Sequence, residues 1–420
     1  LSAHAHENQA SSQPRHVPEL DGVRGLAIAL VMALHFVYPL EAQNFAERLA
    51  SKASGYGLWG VDLFFVLSGF LITGILYDAK GSEGYFKNFY MRRTLRIFPL
   101  YYGVLLLLLV AIPRSVAAAI DPALLETRQA GSWLATYLTN IYIAQTGEFS
   151  IPYVSHFWSL AVEEHFYLFW PFLIGFLSRV QAMRACIAFT LFALCLRIGL
   201  VAAEASPLAP QVLTPCRLDT LCLGALLALA IRGPGGAAVW SARSRRFLPV
   251  TALAVIALSA LHVLAPSLDV VVIELRGTVL ALFFAVLILN AQSDAGFSPI
   301  KRLFRLRFLG TLGKYSYGLY VFHGLVAFAF EQRGLFEKLD GLTGSHGFAT
   351  FAYVALGVGL SFLISVASYE LFEVRFLALK KLFDYRTRRA DKERARVPGL
   401  SAGIAAGAKA APELASRSPE

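Results

Sequence analysis

Residues 57–77 read GLWGVDLFFVLSGFLITGILY, with a single charged side chain, Asp62. A helix rises about 1.5 Å per residue, so about 20 mainly apolar residues cross the hydrocarbon core of a bilayer. A surface helix of a soluble protein would show a polar face, and this stretch has none. It reads as a membrane span. The same ruler, moved outward along the chain, picks 22–40, 97–113, 156–178, 185–203, 217–231, 247–264, 270–290, 311–330 and 350–372. Segment 217–231 is short for a span, and 185–203 carries Arg197. Residues 133–146 are aromatic but short and polar, and read as an interfacial or re-entrant piece on the outside. The predicted fold is all-α: a polytopic integral membrane protein of about ten transmembrane helices.

Composition agrees. Of 420 residues, 56% are hydrophobic and only 16% charged, where soluble chains are about a quarter charged. That excludes a disordered chain, a collagen-like fibre and an ordinary soluble enzyme. Four cysteines, Cys186, Cys195, Cys216 and Cys222, exclude a disulfide scaffold; they lie in or beside spans without metal-ligand spacing and read as packing residues. The net charge of +10 has two candidate sources, nucleic acid or basic cytoplasmic loops, and the position of the charges separates them. With a cytoplasmic N-terminus, the inward loops 78–96, 179–184, 232–246 and 291–310 hold fifteen Lys and Arg, against six in the opposite loops. The bias places both termini in the cytoplasm and predicts no nucleic-acid partner. Residues 1–18, polar and carrying His4, His6 and His16, read as a flexible tail and not as a cleaved signal peptide. Residues 19–378 form the membrane domain, and 379–420 read as a basic, largely disordered cytoplasmic tail.

Charge inside a span is costly, so each case points to function. The first span carries Arg24 near its cytoplasmic end and His35 near its outer end. Eleven steps of 100° bring both onto one helix face, about 16 Å apart along the axis. Asp62, the pair Glu163 and Glu164, and His323 lie at similar depth in the outer half of three other spans. Four spans with ionisable groups at one level predict a buried polar layer around a cavity. On the inner side Arg92, Arg93 and Arg96 cluster at the start of the third span. They are either the positive-inside signal or a phosphate clamp, since guanidinium suits phosphate oxygens. Nucleophile-elbow, zinc-helix and phosphate-loop motifs are absent from the sequence, and His156 and His165, nine apart, are no helical metal pair. No metal site is predicted.

Together these residues resemble the membrane-bound acyltransferase-3 family, which includes bacterial O-acetyltransferases of surface polysaccharides. The resemblance covers about 20–378. Leu20–Leu26 through His35 is similar to the family's opening motif, with its Arg-x10-His spacing. Gly60–Ile72 resembles the second motif, and Arg93-Thr94-Leu95-Arg96 the Arg-x-x-Arg motif. Phe157–Tyr167 resembles the Trp-Ser-Leu-x-x-Glu-Glu block, with His165 where Gln is usual. Arg217-Leu218-Asp219, Tyr315-Ser316-Tyr317 with His323, and Tyr369–Glu373 are similar to later signatures. The SGNH-type hydrolase domain fused to many members is not expected here.

The resemblance implies a membrane acyltransferase in the bacterial cytoplasmic (inner) membrane. It would move an acyl group, most often acetyl from cytoplasmic acetyl-CoA, to a hydroxyl of an extracytoplasmic or lipid-linked carbohydrate. Acetyl-CoA or another acyl-CoA is then a donor substrate, and no tightly bound cofactor is expected. His35 becomes the general base or a transient acyl carrier, with Glu163 or Asp62 orienting its ring. Arg24, Arg93 and Arg96 become the donor-binding residues. Glu164, Ser159, Trp158, Asp219, His323 and Tyr315 become supporting residues. The competing class is a polytopic transporter or flippase using the same polar layer as a relay. The sequence names neither the acceptor sugar nor the oligomeric state.

Overall fold

The computed structural model describes residues 17–265, 269–292 and 299–385. The described residues are helical, with no strand among them. In chain order the α-helices are α1 (Pro18–Phe36), α2 (Phe45–Ser54), α3 (Trp59–Asp78), α4 (Tyr85–Leu106), α5 (Arg114–Ile120), α6 (Ala123–Gln129), α7 (Gly131–Ala135), α8 (Thr139–Thr146), α9 (Trp158–Phe176) and α10 (Arg179–Ala202). They continue as α11 (Ala209–Val212), α12 (Leu218–Ala230), α13 (Gly236–Leu264), α14 (Asp269–Gln292), α15 (Pro299–Phe304), α16 (Arg307–Lys314), α17 (Ser316–Gln332), α18 (Leu335–Thr343), α19 (His346–Ser368) and α20 (Val374–Ala378).

Local sequence sets several of these limits. α1 opens with Pro18, whose missing N–H costs nothing in a first turn, and carries Glu19 and Asp21 beside the positive end of the helix dipole. α10 opens with a reciprocal cap: the Ser178 hydroxyl accepts from the Gln181 N–H at 3.4 Å while the Gln181 side chain accepts from the Ser178 N–H at 2.9 Å. α3 and α12 cross closely because each offers a glycine to the other. A Cβ on Gly69 would collide with the Leu221 carbonyl, and one on Gly224 with the Val66 carbonyl. Small residues at such crossings let backbones approach where lipid supplies no hydrophobic drive.

Among the described residues, six helical stretches are long and apolar enough to cross a membrane: Phe45–Asp78, Tyr85–Ala111, Arg179–Ala202, Gly236–His262, Val271–Gln292 and His346–Phe383. Each contains or overlaps a predicted span. The segments at 22–40, 156–178, 217–231 and 311–330 are helical too, but shorter or more polar. α12 has only 13 residues. The predicted span 311–330 is two helices, α16 and α17, broken at Tyr315. The predicted re-entrant piece is the pair of short helices α7 and α8.

α1, α3, α12 and the first half of α9 are largely buried. The periphery exposes large apolar side chains, among them Leu191, Phe192, Leu253, Ile256, Phe351 and Leu363. A soluble monomer rarely exposes so much apolar surface, and a multi-pass membrane protein turns it to lipid.

The chain does not stop being ordered at 378. Residues Leu379–Phe383 form a 3-10 turn that packs on α4. The Asn88 amide donates to the Asp384 carbonyl at 3.2 Å, and Arg92 pairs with the Asp384 carboxylate. Residues 1–16 and 386–420, the rest of the predicted tails, lie outside the described residues.

Candidate active site

Two cavities flank the middle of α1, one toward each of its ends. The first, about 260 Å³, is lined by Arg24, Arg92, Arg93, Arg96 and Lys380, with Glu163 as the carboxylate among them. Three of the arginines come from one helix face turn of α4, Arg24 comes from α1, and Lys380 arrives from the returning C-terminal turn. Arg24 donates to Asp21 at 2.6 Å. The Arg93 guanidinium lies 5.4 Å from the centre of the Tyr167 ring. Beside Glu163, Ser68 and Tyr167 share a hydrogen bond of 2.6 Å. An annex shares Arg24, Arg96 and Tyr317 with this cavity. There Tyr315 and Lys314 hold Glu370, each at 3.0 Å.

The second cavity is larger, about 1190 Å³, and His35 and His156 line it. The predicted eleven-residue spacing therefore does what helical geometry required: Arg24 reaches one cavity and His35 the other from a single helix. A layer of side chains stands between them. Ser159 and Tyr320 line the arginine cavity and touch through their hydroxyls. Tyr320 donates to the His156 carbonyl at 2.8 Å, and the His156 ring faces the other side.

Three imidazoles meet in this layer. The ring centres of His35 and His323 are 4.7 Å apart, and those of His156 and His323 are 4.8 Å apart. Each ring is tied to a backbone carbonyl. His35 Nδ1–H donates to Val31 at 2.9 Å, His323 Nδ1–H to Leu319 at 3.0 Å, and His156 Nε2–H to Val321 at 3.3 Å. A carbonyl only accepts, so each bond fixes a tautomer. His35 and His323 thus keep Nε2 as a lone pair. The Nε2 of His323 is buried and has no partner. Among the described residues no group of three or more His, Cys, Asp or Glu is arranged to hold a metal ion.

The predicted carboxylates take different places. Neither Glu163 nor Asp62 bonds to His35, whose ring is oriented by the Val31 carbonyl instead. Asp62 is engaged by Arg217 in a buried ion pair. Asp219 belongs to another buried network, accepting from Arg197 at 2.9 Å and from Thr278 at 2.7 Å, and lines none of these cavities. Trp158 is buried against Phe65 with ring centres 6.1 Å apart. Glu164 points away from Glu163's cavity and leaves Oε1 without a partner. His156, Tyr320, Lys380 and Tyr385 were not among the predicted site residues. His156 had a signal, since it stands three residues before Ser159; Lys380 had none, because only the fold returns it to α4.

Comparison with known proteins now decides the family. The model of the family described as "Acyltransferase domain" matches residues 17–370, most of the chain. The chain belongs to this acyltransferase family. Among curated relatives, the O-acetyltransferase OatA of Staphylococcus aureus is 30% identical over 326 residues, covering 74% of this chain and 50% of that protein. The peptidoglycan O-acetyltransferase OatA of Listeria monocytogenes is 35% identical over 178 residues, covering 40% of this chain and 26% of that protein. The chain therefore spans half or less of these relatives. No solved structure matches it. The matched stretch contains both cavities except for the returning turn at 379–385.

Proposed function

We propose that this acyltransferase moves an acetyl group from acetyl-CoA, held in the arginine cavity, to a carbohydrate hydroxyl in the His35 cavity. The observation that carries the proposal is the pairing of an arginine-rich cavity with a histidine-lined one across a single layer of side chains. Cationic side chains on one side suit the phosphates of CoA. A large polar cleft on the other suits a sugar. The relatives named above are O-acetyltransferases, one of them of peptidoglycan, which supports acetyl as the group and a cell-surface glycan as the acceptor.

In this reading Arg24, Arg93 and Arg96 bind the donor phosphates, and the extended pantetheine arm runs along α1 toward His35. The acceptor hydroxyl loses its proton to His35 Nε2 as its oxygen attacks the thioester carbonyl. The carbon–sulfur bond breaks, an ester forms, and CoA leaves as thiolate. Glu163, entering the step in its acid form on the donor side, gives its proton to that sulfur; His35 then releases its proton to water and Glu163 takes one up as the site resets. The Val31 carbonyl supports the imidazolium formed at His35, taking the place expected of a carboxylate. Ten spans, both termini in the cytoplasm and an inner-membrane location complete the proposal. They are supported by the gathering of Arg92, Arg93, Arg96, Arg305, Lys314 and Lys380 at one end of the bundle and the His35 cavity at the other.

The test is transfer from labelled acetyl-CoA to a carbohydrate acceptor by membranes holding the protein. Wild type should label the acceptor and His35→Ala should not. Equal labelling would sink the proposal, and movement of an unmodified substrate without labelling would support a transporter.

A further inference from the structure

The His35 cavity carries information about its ligand that the proposed reaction leaves unused. Five carboxylates line it: Glu41, Glu126, Glu331, Glu337 and Asp340. No Lys or Arg does. Among the described residues none of the five is in an ion pair. They come from four separate places in the chain, the turn after α1, α6, the end of α17 and α18, so the fold and no single acidic run assembles them.

A second observation points the same way. The His346 side chain lines the same cavity and is only 9% exposed. Its Nε2–H donates to the Glu41 carbonyl at 2.8 Å. In the neutral ring Nδ1 is therefore a lone pair, and that atom is buried with no partner. A buried acceptor without a donor costs about 1–3 kcal/mol. His35 presents the same kind of atom, since its Nδ1 is spent on Val31. The carboxylates and the lone-pair nitrogen of His35 that face this cavity are thus hydrogen-bond acceptors, most of them anionic.

We infer that the acceptor is a donor-rich glycan without anionic groups near the acylated hydroxyl, and that a free amino group on a neighbouring sugar strengthens its binding. The inference rests on the proposed acetyl transfer for the identity of the cavity as the acceptor site. Hydroxyl and ammonium hydrogens satisfy the carboxylates. A uronate, phosphate or sulfate brings more acceptors and a like charge, which an interface strongly disfavours. Glu331, Glu337 and Asp340 are then specificity-determining residues, set back from the reacting atoms at His35.

The experiment measures binding of three oligosaccharides of equal length to the full chain in nanodiscs of uncharged phosphatidylcholine. The three are a glucosamine oligomer, its fully N-acetylated form and a galacturonic acid oligomer. At low ionic strength the amine should bind at least about tenfold more tightly than the uronate, with the N-acetylated form between, and salt should narrow the gap. The triple change Glu331→Gln, Glu337→Gln, Asp340→Asn should bring all three within about threefold. Should that protein not fold, Glu331→Gln alone should narrow the gap measurably. Equal affinities in wild type, tighter uronate, or an order that survives neutralisation would overturn the inference. Binding in the expected order without acetyl transfer to any of the three would instead tell against the proposed reaction. Transfer to uronates as fast as to the others would overturn only the acceptor inference.

Discussion

The two cavities of this member of the acyltransferase family share a wall and differ in sign. Five basic side chains and one carboxylate line the first; five carboxylates and three histidines line the second. In the first, Arg24 and Arg92 have carboxylate partners in Asp21 and Asp384; in the second, among the described residues, none of the five carboxylates is in an ion pair and four of them are exposed. The difference matches the proposed pair of ligands, an anionic donor on one side and a hydrogen-bond-donating acceptor on the other. It also separates the carboxylate Glu163 from the imidazole His35. In the proposed reaction, a residue pair that a triad would place together serves two ends of one transfer.

The comparison breaks first at His35. His35→Gln should lower acetyl transfer by about 10²–10⁴-fold, the usual worth of a general base, while CoA binding stays intact. Parallel loss of transfer and donor binding would mean that the cavities are not functionally distinct. Glu163→Gln should cost about 10²-fold in turnover on the arginine side, with the apparent acceptor affinity held. Near-normal turnover would remove Glu163 from the reaction. Arg93→Ala should weaken the apparent affinity for acetyl-CoA by about 10–100-fold, the equivalent of a hydrogen bond to a charged group, and leave acceptor affinity alone. An unchanged donor affinity would leave the α4 arginines as a topology signal only. The smallest effect belongs to Lys380→Ala. Its loss should weaken donor affinity by a few-fold and reduce the salt dependence of binding. A null effect would return residues 379–385 to the tail that the sequence alone made them.

The sequence showed the membrane class without ambiguity, because the hydrocarbon thickness sets a length that residues 57–77 meet by themselves. It also showed Arg24 and His35 on one face, since helical periodicity is a local property. It could not show what orients His35. The expected partner was a carboxylate at similar depth. The fold turned Asp62 toward Arg217 and gave the imidazole a backbone carbonyl of its own helix. Depth along a span is readable from residue number, but rotation about the bundle is set by packing against neighbours. The break at Tyr315 was hidden for a related reason: 311–330 is mainly apolar, and hydropathy does not register where one helix ends and the next begins.

His156 shows the limit from the other side. In the sequence it is a lone histidine beside the Trp158 block; in the structure its ring meets His323 from α17 and lies on the cavity with His35 from α1. The acidic lining is a tertiary fact as well, drawn from four separated stretches whose one or two carboxylates look like ordinary surface charges. By itself the sequence determined the solvent of this protein, the helical class and the two polar ends of its first helix, because those follow from composition and the 3.6-residue period. The tertiary structure alone decided which polar groups meet and which sign each cavity carries, because contacts between helices depend on packing and crossing geometry that local sequence does not encode.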